Sequence, residues 1–291
     1  MKFLVFGSLN NDIVYDVEHF NMAGETQLST NRNEFCGGKG LNQSIALKRS
    51  GVDVYHAGTV GKHDSIELLT LLEKENISVE NIKKVNSLTG HAIIQNNAEG
   101  NNSIILYSGA NNENTKDHID LTLKNFGQDD VIILQNEISN IEYILKVASE
   151  KDLQIVFNPS PVNNSIKKYP IELVDILVLN EVEGEALTEC CNEPKEIIEN
   201  LHKKYPKAKI LLTLGEKGAY FFDGAKIYYE PIIKANVVDT TGAGDTFLGY
   251  FISSYYRGVA IDEAMKIATK AASICVTRKG ASSSIPFIYE I

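Results

Sequence analysis

The segment Val238-Asp-Thr-Thr-Gly-Ala-Gly-Asp-Thr-Phe-Leu-Gly249 concentrates the residues best suited to chemistry. Gly242, Ala243 and Gly244 precede a run from Asp245 to Tyr256 that is competent to form a helix. Small residues at a helix start leave backbone N–H groups bare, and together with the helix dipole those groups make an anion site. Asp245 falls in the first turn. A carboxylate there can cap the helix. It also suits a base that takes a proton from a hydroxyl while the amides hold a transferring phosphoryl group.

A second segment, Phe35-Cys-Gly-Gly-Lys-Gly-Leu-Asn-Gln43, opens a helix at about Leu41. Gly37, Gly38 and Gly40 around Lys39 let the backbone approach a ligand, or simply make a turn. Asn42 can both donate to and accept from a hydroxyl. Polar residues also follow the ends of apolar runs: Asn10 and Asp12, Glu137, Asn180 and Glu183, and Thr213, Gly215 and Gly218. Each reads alone as a turn residue or a cap. Together they place polar groups at the carboxyl ends of parallel strands, where open α/β sheets bind ligands. GxxxxGK[ST], GxGxxG after a strand, HExxH and GxSxG are all absent.

The elements that must position these residues are read from periodicity. Residues 2–6, 131–135, 153–157, 175–179 and 209–214 are short, continuous apolar runs, as buried parallel strands require. Between them lies helical spacing. Ser139-Asn-Ile-Glu142 is a capping-box pattern followed by Ile141, Ile144, Leu145 and Ala148 on one face. Near the C-terminus, Ile261, Ala264, Met265, Ala268, Ala271, Ala272 and Cys275 form one apolar helical stripe. The expected class is α/β with a parallel sheet covered on both faces. Residues 12–36 and 88–108 break that rhythm. The second stretch reads as a hairpin, with AIIQ and SIILY around Asn97–Asn101, and both are expected to form a small projecting sheet. No repeat or linker appears, so residues 1–291 are expected to form a single domain with these strands inserted.

Composition narrows the function. The chain has 291 residues, 43% of them hydrophobic and 23% charged, as in an ordinary globular protein. A net charge of −10 without a basic cluster argues against nucleic acid. Cys36, Cys190, Cys191 and Cys275 lack both disulfide-scaffold density and zinc spacing, and are expected to be free thiols in a reducing cytoplasm. The apolar run at the N-terminus stops at Phe6, too short for a signal-peptide core, and no stretch has membrane-spanning length.

GSLNND at the start, GGKGLNQ at 37–43, SGAN at 108–111, NEVE at 180–183, TLGEKG at 213–218, DTTGAGDTF at 239–247 and VTRKGASSS at 276–284 resemble the ribokinase family of sugar kinases, the phosphofructokinase-B type, almost end to end and in family order. GGKGLNQ with VTRKGASSS is more similar to the ribokinase branch than to fructokinases or adenosine kinases. The resemblance implies a ribokinase-like three-layer α/β/α Rossmann-like fold with a mostly parallel sheet and a small projecting β-sheet lid. It implies Asp245 as base and Gly242, Ala243 and Gly244 as anion hole. It implies Asn10, Asp12, Gly38, Lys39, Asn42 and Glu137 around the sugar, with Ala92, Ile94 and Ile104 closing over it. ATP would lie along Thr213, Gly215, Gly218, Gly244 and Thr269, with Asn180 and Glu183 serving Mg²⁺ and phosphate. Asp239, Thr241, Cys275, Arg278, Gly280 and Ser284 would surround a monovalent cation, K⁺, largely through carbonyls. The lid would pair two subunits into a homodimer. The implied reaction is ATP-dependent phosphorylation of a free pentose at its primary hydroxyl, D-ribose to D-ribose 5-phosphate. Deoxyribose, fructose or adenosine as acceptor, or a silent sugar-binding protein on the same fold, are the alternatives. Three departures from the family pattern stand out: Asn136 before Glu137, Thr269 in place of an Asn or His, and a shortened C-terminal helix after Pro286.

Overall fold

Alternate residues of the apolar runs point into two separate cores. Phe3 and Val5 enter one, Leu4 and Phe6 the other, and the same alternation holds for Val131 and Ile133 against Ile132 and Leu134. A strand buried on both faces must be apolar at every position, which is why these runs are continuous. Each large aliphatic side chain so buried contributes about 1.5–3 kcal/mol.

The computed structural model describes residues 1–99, 101–188 and 193–291; Cys190 and Cys191, expected as free thiols, lie outside the described residues. The chain begins with β1 (Phe3–Phe6), leaves the sheet in β2 (Asn10–Asp16) and β3 (Asn31–Gly37), and returns through α1 (Lys39–Arg49), β4 (Val54–Gly61), α2 (Ile66–Lys74) and β5 (Ser78–Val85). A second excursion, β6 (Gly90–Asn96) and β7 (Asn102–Tyr107), precedes α3 (Lys116–Leu123) and β8 (Val131–Gln135). Then come α4 (Ile141–Glu150), β9 (Gln154–Asn158), β10 (Ile176–Asn180), α5 (Glu181–Thr188), α6 (Pro194–Lys204) and β11 (Lys209–Thr213). The chain closes with β12 (Ala219–Phe222), β13 (Ile227–Glu230), α7 (Ala243–Tyr256) and α8 (Ile261–Cys275).

The main sheet has nine strands in the order β13-β12-β11-β10-β9-β8-β1-β4-β5. It is parallel from β5 to β11, and β12 runs antiparallel to both its neighbours. Helices α1, α2, α7 and α8 cover one face and α3 to α6 the other. The strand order reverses at β1, which is flanked by β4 and β8, so the carboxyl ends of β1 and β8 meet at a switch point. Helix α7 packs on α1 at Gly249, where a β-carbon would press on Ala46 and the Leu47 amide. That close approach brings the first turns of α1 and α7 together.

The small sheet has the order β3-β2-β6-β7. Its hairpins pair antiparallel, but β2 and β6 join them in parallel, so the lid is a mixed sheet. The turn between β6 and β7 closes with Asn97 N–H donating to Asn101 O at 3.0 Å.

The sequence reading is corrected at several elements. The expected capping box at Ser139 is not formed: α4 starts one residue later, at N-cap Asn140, whose left-handed backbone (φ 62°) holds no side-chain cap. Asn140 instead donates its amide to Asn114 O at 2.5 Å. The helices expected at about Leu41 and at Asp245 each begin two residues earlier, at Lys39 and Ala243, where Gly38 and Gly242 turn the chain at positive φ. Strands β4 and β5 escape the apolar-run test, since His56, Lys83 and Lys84 interrupt their patterns, and the short antiparallel β12 and β13 are missing from the sequence reading.

Candidate active site

Gly242 at φ 76° bends the chain sharply into α7 and leaves the first turn facing an open cavity. Ala243 N–H donates to Thr240 O at 3.2 Å and Thr246 N–H to Gly242 O at 2.8 Å. Of the expected anion-hole residues, Ala243 therefore has its amide occupied, while the amides of Gly242 and Gly244 make no such turn bond among the described residues.

Asp245 is not a cap. No side chain caps α7. Its carboxylate turns across to α1, where Asn42 Nδ2 donates to Oδ2 at 3.0 Å and Gln43 Nε2 to Oδ1 at 2.8 Å. The group is buried, and each oxygen keeps capacity for a further donor.

Beside it, a cavity of about 220 Å³ is lined by Lys39, Gln43, Asn158, Ser160, Asn180, Glu183, Thr213, Thr240, Gly242, Gly244 and Asp245, with apolar residues from β10 and α7. Asn180 and Glu183 clasp each other: Asn180 N–H donates to Glu183 Oε2 at 3.0 Å and Glu183 N–H to Asn180 Oδ1 at 2.9 Å. This fixes one carboxylate oxygen of Glu183 and leaves the other for a cation carried on phosphate. Burial opposes the Lys39 ammonium, but Asp245, Glu137 and Glu183 outweigh it and hold the group more firmly protonated than usual. A cation held among three carboxylates at an anion site suits a phosphate. Gly215 and Gly218 make the positive-φ turn after β11 and lie outside this cavity, and Thr269 is buried on α8.

On the other side of Asp245 the site is polar and largely buried. Glu137 Oε2 accepts from Lys39 N at 3.1 Å and from Ser8 Oγ, which itself accepts Gly40 N–H at 3.2 Å. Burial raises the Glu137 carboxyl above its ordinary range, against the pull of Lys39 and these hydrogen bonds. Asp12 lies against Gly37, where a β-carbon would overlap its carboxylate. Burial, reinforced by the charge of Glu137, pushes Asp12 up to about 7. Asn10 Oδ1 accepts from Asn111 Nδ2 at 2.7 Å, and Asn111 also takes Leu9 N–H at 3.2 Å. Two buried acceptors, Asp12 Oδ1 and Asn42 Oδ1, have no partner. Unpaired buried acceptors in a cleft mark where a hydroxyl-bearing molecule would bind. Gly38 forms the N-cap of α1 at φ 95°. By register Ala92, Ile94 and Ile104 share the lid face of Asp12; Ala92 is buried, Ile94 half-buried and Ile104 exposed.

Asn136 lines a neighbouring cavity with Glu137 and is held by bonds of its own. Its Nδ2 donates to Pro161 O at 2.6 Å and its Oδ1 accepts from Tyr169 Oη at 2.9 Å. It ties the start of the β8–α4 loop to the 160–169 segment.

Several of the residues expected around a monovalent cation are joined by hydrogen bonds. Asp239 Oδ1 accepts from Thr241 N at 2.9 Å and Thr241 Oγ1 at 2.6 Å, and Oδ2 accepts from Gly280 N at 2.9 Å. Burial raises this carboxyl, but the three donors prevail and hold it below its ordinary range. Cys275 Sγ lies 3.0 Å from Ser284 Oγ, and the Arg278 guanidinium is engaged by Glu290 at 2.5 Å. Side chains here organise the loop, which leaves carbonyls as the candidate ligands. Among the described residues no group of three or more His, Cys, Asp or Glu is placed to hold a metal by itself.

Sequence reasoning passed over Ser8, Gln43, Asn111, Gln135, Asn158 and Ser160. Asn158 ends β9 and was open to the strand-end rule; the buried amides carry no signal outside the fold.

Comparison with known proteins agrees with this geometry. The model of the pfkB family carbohydrate kinases matches residues 1–288. The ribokinase of Haemophilus influenzae is 34% identical over 291 residues, covering 97% of this chain and 94% of that protein. The crystal structure of ribokinase from Cryptococcus neoformans in complex with ADP aligns with TM-score 0.86 at 32% identity, covering 99% of this chain and 98% of that one. The structure of Arabidopsis thaliana ribokinase complexed with ribose and ATP aligns with TM-score 0.86 at 29% identity, covering 99% and 96%.

Proposed function

The chain belongs to the pfkB family of carbohydrate kinases, and from that premise we propose that it phosphorylates a free pentose, D-ribose, at its primary hydroxyl, with ATP as donor. The observation that carries this reading is the Asp245 carboxylate, held off its own helix between bare first-turn amides and a buried polar site with unpartnered acceptors. The Arabidopsis relative complexed with ribose and ATP supports the ligand pair.

Asp245 takes the proton of the primary hydroxyl as the oxygen attacks. The amides of Gly242 and Gly244, the α7 dipole and Lys39 face the charge that develops on the transferring group, and hold it without reorganising. Asp12, Asn10, Asn42 and Glu137 grip the other hydroxyls, and Ala92, Ile94 and Ile104 of the lid cover them. Thr213, Gly215, Gly218 and Thr269 line the path for the nucleotide. The donor set at Asn180 and Glu183, one free carboxylate oxygen beside a phosphate cavity, fits Mg²⁺, which keeps most of its waters and phosphate ligands. When bound, Mg²⁺ neutralises phosphate charge. K⁺ would sit against carbonyls of the 239–241 and 275–284 stretches. We take residues 1–291 as a single domain with the lid inserted, paired through that lid with a second copy. Among the described residues no helix is long and apolar enough to cross a membrane.

The test is ADP release with ribose, deoxyribose, fructose and adenosine side by side. A buried polar group left unpaired costs about 1–3 kcal/mol, so a sugar missing one hydroxyl is expected to lose roughly ten- to hundredfold in kcat/KM. Ribose failing to lead the set refutes ribose as substrate and leaves the family standing. Asp245→Asn is expected to fold, bind sugar and lose about 10²–10⁴ in kcat. A variant that keeps most of its rate removes Asp245 as base.

A further inference from the structure

Behind Asp245 runs a line of carboxamides that phosphoryl transfer itself does not call for. Gln43 Nε2 donates to Asp245 Oδ1 at 2.8 Å, and Gln43 Oε1 accepts from Gln135 Nε2 at 2.6 Å. Both glutamines are wholly buried. Gln43 sits in the first turns of α1, and Gln135 is the last residue of β8, at the centre of the main sheet. The Asp245 carboxylate has only acceptors to offer. Gln43 must therefore present its NH₂ to Asp245 and its oxygen to Gln135. Gln135 must then spend its own NH₂ on Gln43, which leaves Gln135 Oε1 without a partner. That oxygen lies over Gly7, where a β-carbon would overlap it. The core thus holds an uncompensated acceptor that an apolar pair would have avoided.

We propose that Gln43 and Gln135 are positioning residues that fix the plane of the Asp245 carboxylate, anchoring the base to the central sheet. The inference rests on the reading of Asp245 as base. A carboxylate turns easily about its last torsion. Asn42 alone, on Oδ2, would leave a pivot. One amide on each oxygen removes it and aims the remaining lone pairs at the attacking hydroxyl. Neutral amides do this without adding a second positive charge beside that of Lys39.

The experiment compares the full-length chain with Gln43→Leu, Gln135→Leu and the double variant, in steady-state kinetics with ribose and ATP and in thermal melting. A base misplaced by a fraction of an ångström to one ångström is expected to lower kcat about 10- to 100-fold in each single variant, with the KM for sugar and for ATP unchanged. A relay acts as one unit, so the double variant is expected to be no slower than the slower single variant. Wild-type kcat in a folded Gln135→Leu, or losses that multiply in the double variant, overturns the relay. If Gln135→Leu does not fold, Gln135→Met keeps the unbranched shape without the amide and is read in the same way. Asp245→Asn run alongside separates the two readings. If it retains its rate, the base assignment fails; if it loses its rate while the folded Gln135 variants do not, only the relay fails.

Discussion

Asp12 is a carboxyl whose burial has a direct consequence for ligand binding. With the group held up to about 7 against an ordinary 3.8, the folded chain keeps a proton that the unfolded chain has released. Its contribution to folding stability is therefore present below about pH 4 and lost as pH rises through 7. Sugar hydroxyls donating to the unpartnered Oδ1 favour the ionised form instead. Affinity for ribose is expected to rise with pH through about 7, with release of part of a proton on binding. Calorimetric titration in two buffers of different ionisation heat, from about pH 5.5 to 8.5, checks this. The slope should vanish in Asp12→Asn. A wild-type affinity that is flat across that range would count against Asp12 as a sugar ligand.

At the scale of elements, the loop that enters α7 is clipped to the loop that leaves α8. Val238 and Asp239 N–H groups both donate to Val276 O, at 2.8 and 3.2 Å, and Asp239 reaches Gly280. The clip sets where the first turn of α7, and with it the bare amides of Gly242 and Gly244, stands. A monovalent cation on the adjoining carbonyls would stiffen that turn. Replacing Na⁺ by K⁺ is expected to raise kcat, and Asp239→Ala, which removes the carboxylate's bonds to Thr241 and Gly280, to abolish the response. Equal rates in potassium, sodium and cation-depleted buffer would exclude the site. The same scale explains the α1–α7 contact at Gly249: two helix starts that carry complementary groups are held in register by packing remote from the chemistry.

For the whole molecule, the lid is the surface left unfinished. Register places Phe35, Ala92, Ile94, Ile104 and Leu106 on the face that carries Asp12. Phe35 is 42% exposed, Ile104 56% and Leu106 43%. A contiguous apolar face of this kind calls for cover, and a bound sugar reaches only part of it. A two-fold partner lid would supply the rest. Sedimentation equilibrium is expected to give twice the 32.2 kDa of the chain, and Ile104→Asp with Leu106→Asp to shift it to a monomer. A monomeric wild type at micromolar concentration would refute the pairing.

Local order was legible in the sequence because local physics sets it. A strand buried on both faces must be apolar throughout, so β1, β8, β9, β10 and β11 announced themselves within a residue. Glycines before a helix and polar residues after strands marked Asp245, Asn42, Glu137 and Glu183 before any fold was known, and the motif order pointed to the family. What the sequence left open were choices between partners far apart in the chain. That Asp245 does not cap its own helix was decided by Asn42 and Gln43, about two hundred residues away, reaching both its oxygens. Nothing near Asn136 in the sequence foretold its bonds to Pro161 and Tyr169. Ser8 and Asn111 fall within family motifs, yet nothing in the sequence showed their partners, and Gln135 ends an apolar run with no sign of its own. A buried amide or hydroxyl acquires its role from the one donor or acceptor that the tertiary structure sets within 3 Å of it, and spacing along the chain does not encode that distance.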